Sequence, residues 1–298
     1  MAARGAGFAL VGATVAVSFS AIFIRIAGDD AATIVWLRMG MAALLLFPWV
    51  VRDGHRDAAV LDQRSRLLVA ASGVLLAGHF LLWTASLRYT SIAASVLLVS
   101  VHPVIVSPLA RRLLGETVTL RQATGLVLAL AGTVVTCAGD ISVGGTALFG
   151  DALALGGAVC LAGYLLIGRG VRPRLSVAGY SASVYAITCV VAAATAGALG
   201  VAHLPTPRVA VTGLALAVVC TLGGHTVYNW ALRHVRTLTV SIAFLGEPPL
   251  TAILAFVIFA SAPSAPTVGG GVLILTGVAV ALLEPLRRPE RGVVTALE

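Results

Sequence analysis

Lysine is absent from these 298 residues, and all 20 basic side chains are arginine. A light-driven pump that holds retinal as a Schiff base is thereby excluded, because that bond needs a lysine amine. Charge of either sign is scarce, at 11% against roughly 25% in a soluble globular domain. The four cysteines, Cys137, Cys160, Cys189 and Cys220, fall in four separate apolar runs with no C-x-x-C spacing. That pattern argues against a redox pair or a metal site, and for small apolar packing residues. The chain has no G-x-x-x-x-G-K-[ST] loop to cradle ATP phosphates and no H-E-x-x-H pair. Links between apolar runs are short, the longest being the ~15 residues from Arg52, so a soluble catalytic or nucleotide-binding domain has no room. No cofactor and no metal is expected.

What fills the chain is apolar sequence, with 59% hydrophobic residues and a mean hydropathy of +1.01. Runs near the ~20 residues needed for one helical crossing fall at about 7–27, 32–51, 67–87, 91–110, 120–138, 150–168, 177–199, 209–232, 239–260 and 267–285. The fold class is therefore an all-α polytopic membrane protein with ten transmembrane helices. Its net charge of +8 is a topology signal and not a nucleic-acid footprint. Sixteen arginines, from Arg4 through the Arg52–Arg66 link and Arg111, Arg112 and Arg121 to Arg287, Arg288 and Arg291, fall on the side of the N-terminus. Only Arg88 and Arg208 fall in links on the other side, together with Asp29, Asp30 and Asp140. The positive-inside rule then places both termini in the cytoplasm, in a multi-pass protein of the plasma membrane. The first run is longer than a signal-peptide core and further spans follow, so it is read as a retained helix.

A shift of 145 residues superimposes the two halves of the chain without gaps. Gly12-Ala13 falls on Gly157-Ala158, Leu87-Arg88 on Leu232-Arg233, Pro103 on Pro248, Gly125 on Gly270 and Gly132 on Gly277. The expected organisation is a first five-helix repeat over 1–145, a second over 146–290 and a short cytoplasmic tail, 291–298. Five crossings per repeat is an odd number, so the second repeat enters the membrane from the opposite side. Inverted repeats of this kind place a binding site near the bilayer midplane, where the halves meet, and open it to either side by rocking.

The stretches ASLRYTSIAASVLLVSVHPVIVSPLARRLLGE (85–116) and ALRHVRTLTVSIAFLGEPPLTAILAF (231–256) carry a resemblance covering nearly the whole chain. Their order of A-L-R, short turn, apolar helix, E-P-like centre and terminal G-E resembles the EamA-type branch of the drug/metabolite transporter superfamily. The resemblance implies a transporter, with export as its direction. The sequence departs from that pattern at His102-Pro103, where Glu-Pro is usual, and at Ala260-Ser261, where Gly-Glu often ends the helix.

Glu247 lies about nine residues into its span, followed at once by Pro248 and Pro249. An ionisable side chain at that depth marks a functional site by default, usually facing a bundle interior or wet cavity. The prolines cannot donate to the carbonyls of Phe244 and Leu245, which favours a kink or break; Pro103 occupies the matching place in the first half. His102 occupies Glu247's position there, and it suits either proton transfer or a plain hydrogen bond to a carbonyl. Thr221, His225, Tyr228 and Asn229 follow i, i+4, i+7, i+8, and Ser72, His79, Trp83 and Ser86 follow i, i+7, i+11, i+14. Each set marks one helix face, lining either a cavity or a hydrogen-bonded helix contact. Trp83 and Tyr228 can stack on an organic substrate or cover a cation; Trp36, Trp49 and Trp230 read as interface anchors. Ser18 and Tyr164 are weaker cavity candidates. Arg38 fits a gate, an anion site or a snorkelling side chain, and Arg25 has Asp29 at ion-pair spacing.

The expected function is a secondary transporter that moves small metabolites, amino acids or amphiphilic drug-like compounds by alternating access, driven by protons or by the substrate's own gradient. Its expected partners are a small-molecule substrate and the lipid bilayer, with protons and a second copy of the chain as further candidates. A nucleotide-sugar or lipid-carrier exchanger would favour several cations deep in the cavity, where only Arg38 approaches. A membrane-embedded enzyme would leave the repeat unexplained.

Overall fold

The computed structural model describes residues 2–90, 92–138, 145–260 and 262–283. The tail 291–298, Arg287, Arg288, Asp140 and Ser261 lie outside the described residues, as does the side chain of Cys137. Ten helices account for the ten apolar runs. They are α1 (Ala2–Ser18, resuming as Ser20–Ala27), α2 (Ala31–Val60), α3 (Gln63–Ser86), α4 (Ile92–Val99, then His102–Leu114) and α5 (Leu120–Ala138). They continue with α6 (Gly145–Val171), α7 (Val177–Ala198), α8 (Pro207–Ala215, then Leu216–His225 and Thr226–Ala231), α9 (Thr237–Phe244, then Glu247–Phe259) and α10 (Ala265–Leu282). Among the described residues nine helical runs are long and apolar enough to cross a membrane, and α5 adds a shorter one, Leu120–Thr136.

Local chemistry fixes the ends. Asp62, Ser176, Thr206 and Ser264 each accept a bond from a backbone N–H three residues on, capping α3, α7, α8 and α10. Gly28 and Gly115 close α1 and α4 at φ of 63° and 61°, the left-handed region that glycine enters without a Cβ penalty. The polarity is inside out relative to a soluble domain. Phe8, Leu44, Phe47 and Val127 are exposed, while Arg38, Tyr164, Tyr180 and Asn229 are buried, the arrangement a bilayer solvent requires.

Packing is symmetric between the halves. α5 lies against α10, α2 against α7 and α4 against α9, while α3 with α6 in one place answers α8 with α1 in the other. The glycines that matched in the sequence show why. A Cβ on Gly125 would lie 2.5 Å from the carbonyl oxygen of Gly277, and one on Gly132 would lie 2.5 Å from that of Gly270. The backbones of α5 and α10 therefore touch at two points in antiparallel register, as small residues at membrane helix contacts allow. The antiparallel sense of this one corresponding pair is the sense expected of an inverted second repeat.

The proline positions become breaks at equivalent places. α4 is interrupted at Ser100-Val101 and α9 at Leu245-Gly246, so His102 and Glu247 each open a second helical segment with proline in its first turn. Proline is tolerated there because the missing N–H would have had no partner.

Candidate functional site

The two breaks and four other helices enclose one cavity. Its wall comprises Val17 and Ser20 from α1, His79, Phe80 and Trp83 from α3, and Val99, Ser100 and His102 from α4, with Leu161 from α6, His225 from α8 and Phe244 and Glu247 from α9. The enclosed volume is about 20 Å³, room for about one water molecule. Five residues singled out by the sequence, Glu247, His102, His79, His225 and Trp83, thus meet on one surface. Glu247 is its only acid.

The polar atoms of that wall are under-satisfied. The Nδ1 of His102 lies 3.0 Å from the Val99 carbonyl oxygen and the Nδ1 of His79 lies 3.1 Å from that of Gly157. A carbonyl only accepts, so in both rings Nδ1 carries the proton and donates, leaving Nε2 of the neutral ring as an acceptor. The Nε2 of His102, the Nδ1 of His225 and the Nε1 of Trp83 are buried without a hydrogen-bond partner among the described residues. Orphaned polar atoms gathered round a cavity are unusual in a packed interior and are satisfied by whatever enters. Aromatic faces complete the wall. His79 lies parallel to Trp83 at 6.2 Å, and His102 meets Phe244 edge-on at 5.6 Å.

Five other candidates lie elsewhere. Tyr228 stacks behind Phe244 at 3.8 Å and its hydroxyl bonds to the Thr14 hydroxyl at 2.8 Å, so it braces the wall without lining it. Asn229 accepts from the Tyr164 hydroxyl and donates to Ser181 at 3.0 Å, making a polar knot of α6, α7 and α8. Ser18 donates to the Thr14 carbonyl at 2.7 Å, and its own carbonyl accepts from Thr251 at 3.0 Å. These diverted carbonyls sit at the interruption of α1 and compete with its helical ladder. Arg38 does not snorkel. It is 1% exposed, donates from Nε to the Thr221 hydroxyl at 2.6 Å and lays its guanidinium over the Phe80 ring at 4.3 Å.

The α8 stripe separates because residues Leu216–His225 are wound as a π-helix. The Thr221 hydroxyl donates to the Leu216 carbonyl at 3.1 Å and the Thr226 hydroxyl to the Thr221 carbonyl at 3.1 Å, both five residues back. The wider turn breaks the 3.6-residue register on which the stripe rests. On α3, Ser72 bonds to the Tyr180 hydroxyl at 2.6 Å and Ser86 to Ser95 at 2.6 Å, which are helix contacts and not cavity lining. Nor does Arg25 pair with Asp29: it lies over the Phe259 ring at 5.1 Å, and Asp29 accepts from His203 at 3.0 Å. The apolar wall, above all Phe80 and Phe244, went unseen because apolar residues in an apolar run give no contrast. Adjacency to His79 and to the GEPP break was the only available signal.

Both ends of the bundle are tied across the repeats. At the end carrying the α1–α2 link, His203 pairs with Asp29 and the Thr90 hydroxyl donates to Asp151 at 2.8 Å, while Arg88 pairs with Asp30 within the first repeat. At the other end, Glu116 accepts from Arg169 Nε at 2.9 Å, from the Thr237 N–H at 2.8 Å and from the Thr237 hydroxyl at 3.1 Å. Asp57 there accepts from the Ser176 N–H at 2.8 Å and hydroxyl at 2.6 Å.

The two-repeat helical architecture agrees with what the chain resembles. The profile of the EamA-like transporter family matches twice, over residues 4–138 and 148–283, one match to each repeat. A protein of Archaeoglobus fulgidus named as an uncharacterized transporter is 25% identical over 280 residues, 93% of this chain and 96% of its own length. A second of the same name and organism is 26% identical over 268 residues, 87% of this chain and 91% of its own. A solved crystal structure shares the fold, with a TM-score of 0.76 at 22% identity over 95% of this chain and 97% of that one. With both of its halves matched, the chain is a multi-pass membrane transporter and belongs to the EamA-like transporter family.

Proposed function

We propose that this transporter is a secondary carrier that moves a small organic solute by alternating access, with Glu247 as its proton- or substrate-binding acid. One observation carries the reading: Glu247 opens a broken helix and is the only acid on a cavity wall where Nε2 of His102, Nδ1 of His225 and Nε1 of Trp83 lack partners among the described residues. At about 20 Å³ the cavity is too small for an organic molecule, so loading it requires the walls to part. The cross-repeat ties at both ends are what would have to open in turn. Amino acids and amphiphilic drug-like compounds suit the combination of one acid, three imidazoles and the rings of Phe80, Trp83 and Phe244. The arginine distribution favours cytoplasmic termini in the plasma membrane. Export follows the family resemblance alone. A nucleotide-sugar exchanger gains no support, because no arginine lines the cavity.

The test is reconstitution in liposomes loaded with a pH dye, with amino acids and cationic amphiphiles offered under an imposed proton gradient. Substrate-dependent proton flux is expected in the wild type and lost in Glu247→Gln. Substrate movement with the same proton flux in both proteins would make the chain a facilitator whose glutamate is structural.

A further inference from the structure

Arg38 is the least explained group in the bundle. A guanidinium stays charged at any accessible pH, and an isolated buried charge is costly unless compensated. Yet its contacts are neutral: the Thr221 hydroxyl and the face of Phe80. Its terminal nitrogen Nη2 is buried with no hydrogen-bond partner among the described residues. Phe80 lines the cavity whereas Arg38 does not, so the Phe80 ring is the partition between the guanidinium and the space that Glu247 faces. The other acids of the described segments sit near the bundle's two ends, at positions 29, 30, 53, 57, 62, 116 and 151, leaving Glu247 as the one anion at Arg38's depth.

Resting on the assignment of Glu247 as the working acid, we propose that Arg38 is the internal counter-ion of Glu247. It is parked behind Phe80 while Glu247 holds a proton or a substrate donor, and it pairs with the carboxylate once that partner has left. The ionisable groups around Glu247 are His79 from α3, His102 from α4, Cys220, His225 and Tyr228 from α8, and Arg38 from α2. Of these only Arg38 carries a positive charge that pH cannot remove. Its anchor, Thr221, lies in the π-helical stretch of α8, the element on which His225 also reaches the cavity. A conformational change in α8 would therefore move the guanidinium and the cavity wall together, so that an empty, deprotonated site is neutralised from within. Arg38 acts here as a positioning residue, through Glu247 and not on the substrate.

The experiment needs no substrate. The carbonyl stretch of a protonated buried carboxyl is followed by infrared difference spectroscopy across a pH titration of the full chain in liposomes. Glu247→Gln identifies the band, and Arg38→Gln and Arg38→Lys are compared with wild type. Arg38→Gln is expected to move the titration midpoint upward by about one to three pH units, because a cation within reach of a carboxylate favours its charged form by that much. Arg38→Lys, which keeps the charge, is expected to stay near wild type, separating the electrostatic role from a packing one. Monodisperse elution confirms that each variant is folded, and Arg38→Ala takes the place of Arg38→Gln if the latter aggregates: a midpoint displaced as far by lysine as by the uncharged substitute overturns the proposal. An Arg38→Gln midpoint equal to wild type, with the Glu247 band still titrating, also overturns it while sparing Glu247 as the working acid. A carboxyl band that does not depend on Glu247 overturns both.

Discussion

His203 sits in the link between α7 and α8 with both ring nitrogens engaged. Nδ1 lies 3.0 Å from the Leu204 carbonyl oxygen and Nε2 lies 3.0 Å from Asp29. Only the doubly protonated ring donates to both, and the Leu204 carbonyl first, then Asp29, raise its pKa above the ordinary 6.5. A raised histidine stabilises the folded state fully below its unfolded pKa and loses that contribution as pH rises through the folded value. Thermal melting is therefore expected to soften as pH climbs from about 6.5, and His203→Gln to flatten that dependence, as scanning fluorimetry would show. Asn229 presents the opposite case, a candidate off the cavity wall whose side chain bonds to Tyr164 and Ser181. Asn229→Ala strands the Tyr164 hydroxyl and Ser181, at a cost of about 1–3 kcal/mol, and is expected to lower the melting temperature while leaving the pH dependence of transport unchanged. At this scale the sequence exposed what contrasts with its surroundings. Glu247, His102, His79 and His225 stand out in apolar runs and do meet at the cavity, whereas Phe80 and Phe244 do not stand out at all.

Elements were legible where their cause is local. Prolines at 103 and 248, one repeat apart, announced interruptions that fall two residues upstream in both helices, because proline fits the first turn of a new segment. The π-helical stretch of α8 was not legible, since hydroxyl-to-carbonyl bonds five residues back leave no mark in spacing, and a stripe read at 3.6 residues per turn mixed cavity, brace and polar knot. The glycines of α5 and α10 carried their message in the repeat itself. The 2.5 Å approach from a Cβ at Gly132 to the Gly270 carbonyl oxygen leaves no room for a side chain. Gly132→Leu must separate these helices, as would the same change at its contact partner, Gly270→Leu. Each is expected to abolish monodisperse elution after solubilisation, whereas leucine at exposed Val127 is expected to be neutral.

For the whole molecule, the near-symmetry of the repeats makes the asymmetries informative. The end bearing Glu116 is held by a nearly buried ion pair with Arg169, whose side chains are 9% and 7% exposed, and by two bonds to Thr237. The opposite end is held across the repeats by one exposed pair, a titratable His203 with Asp29, and by the Thr90 hydroxyl on Asp151, with Arg88 and Asp30 paired inside the first repeat. The chain places Ser261 where the repeat offset puts the counterpart of Glu116, so the acid that ties one end has no equivalent at the other. Exposed pairs are worth about 0–1 kcal/mol, while removing one partner of a buried pair costs about 3–5 kcal/mol. The Glu116 end is thus the more firmly tied, and under the alternating access proposed above its release would be the larger barrier. Glu116→Gln keeps an acceptor for Thr237 but leaves Arg169 without its counter-charge. In a variant lacking the native cysteines and carrying Ser100→Cys on the cavity wall, Glu116→Gln is expected to speed labelling by a membrane-impermeant thiol reagent applied from the Glu116 side and to leave labelling from the other side unchanged or slower. Equal acceleration from both sides would mean that Glu116 stabilises the bundle as a whole and does not gate one of its ends.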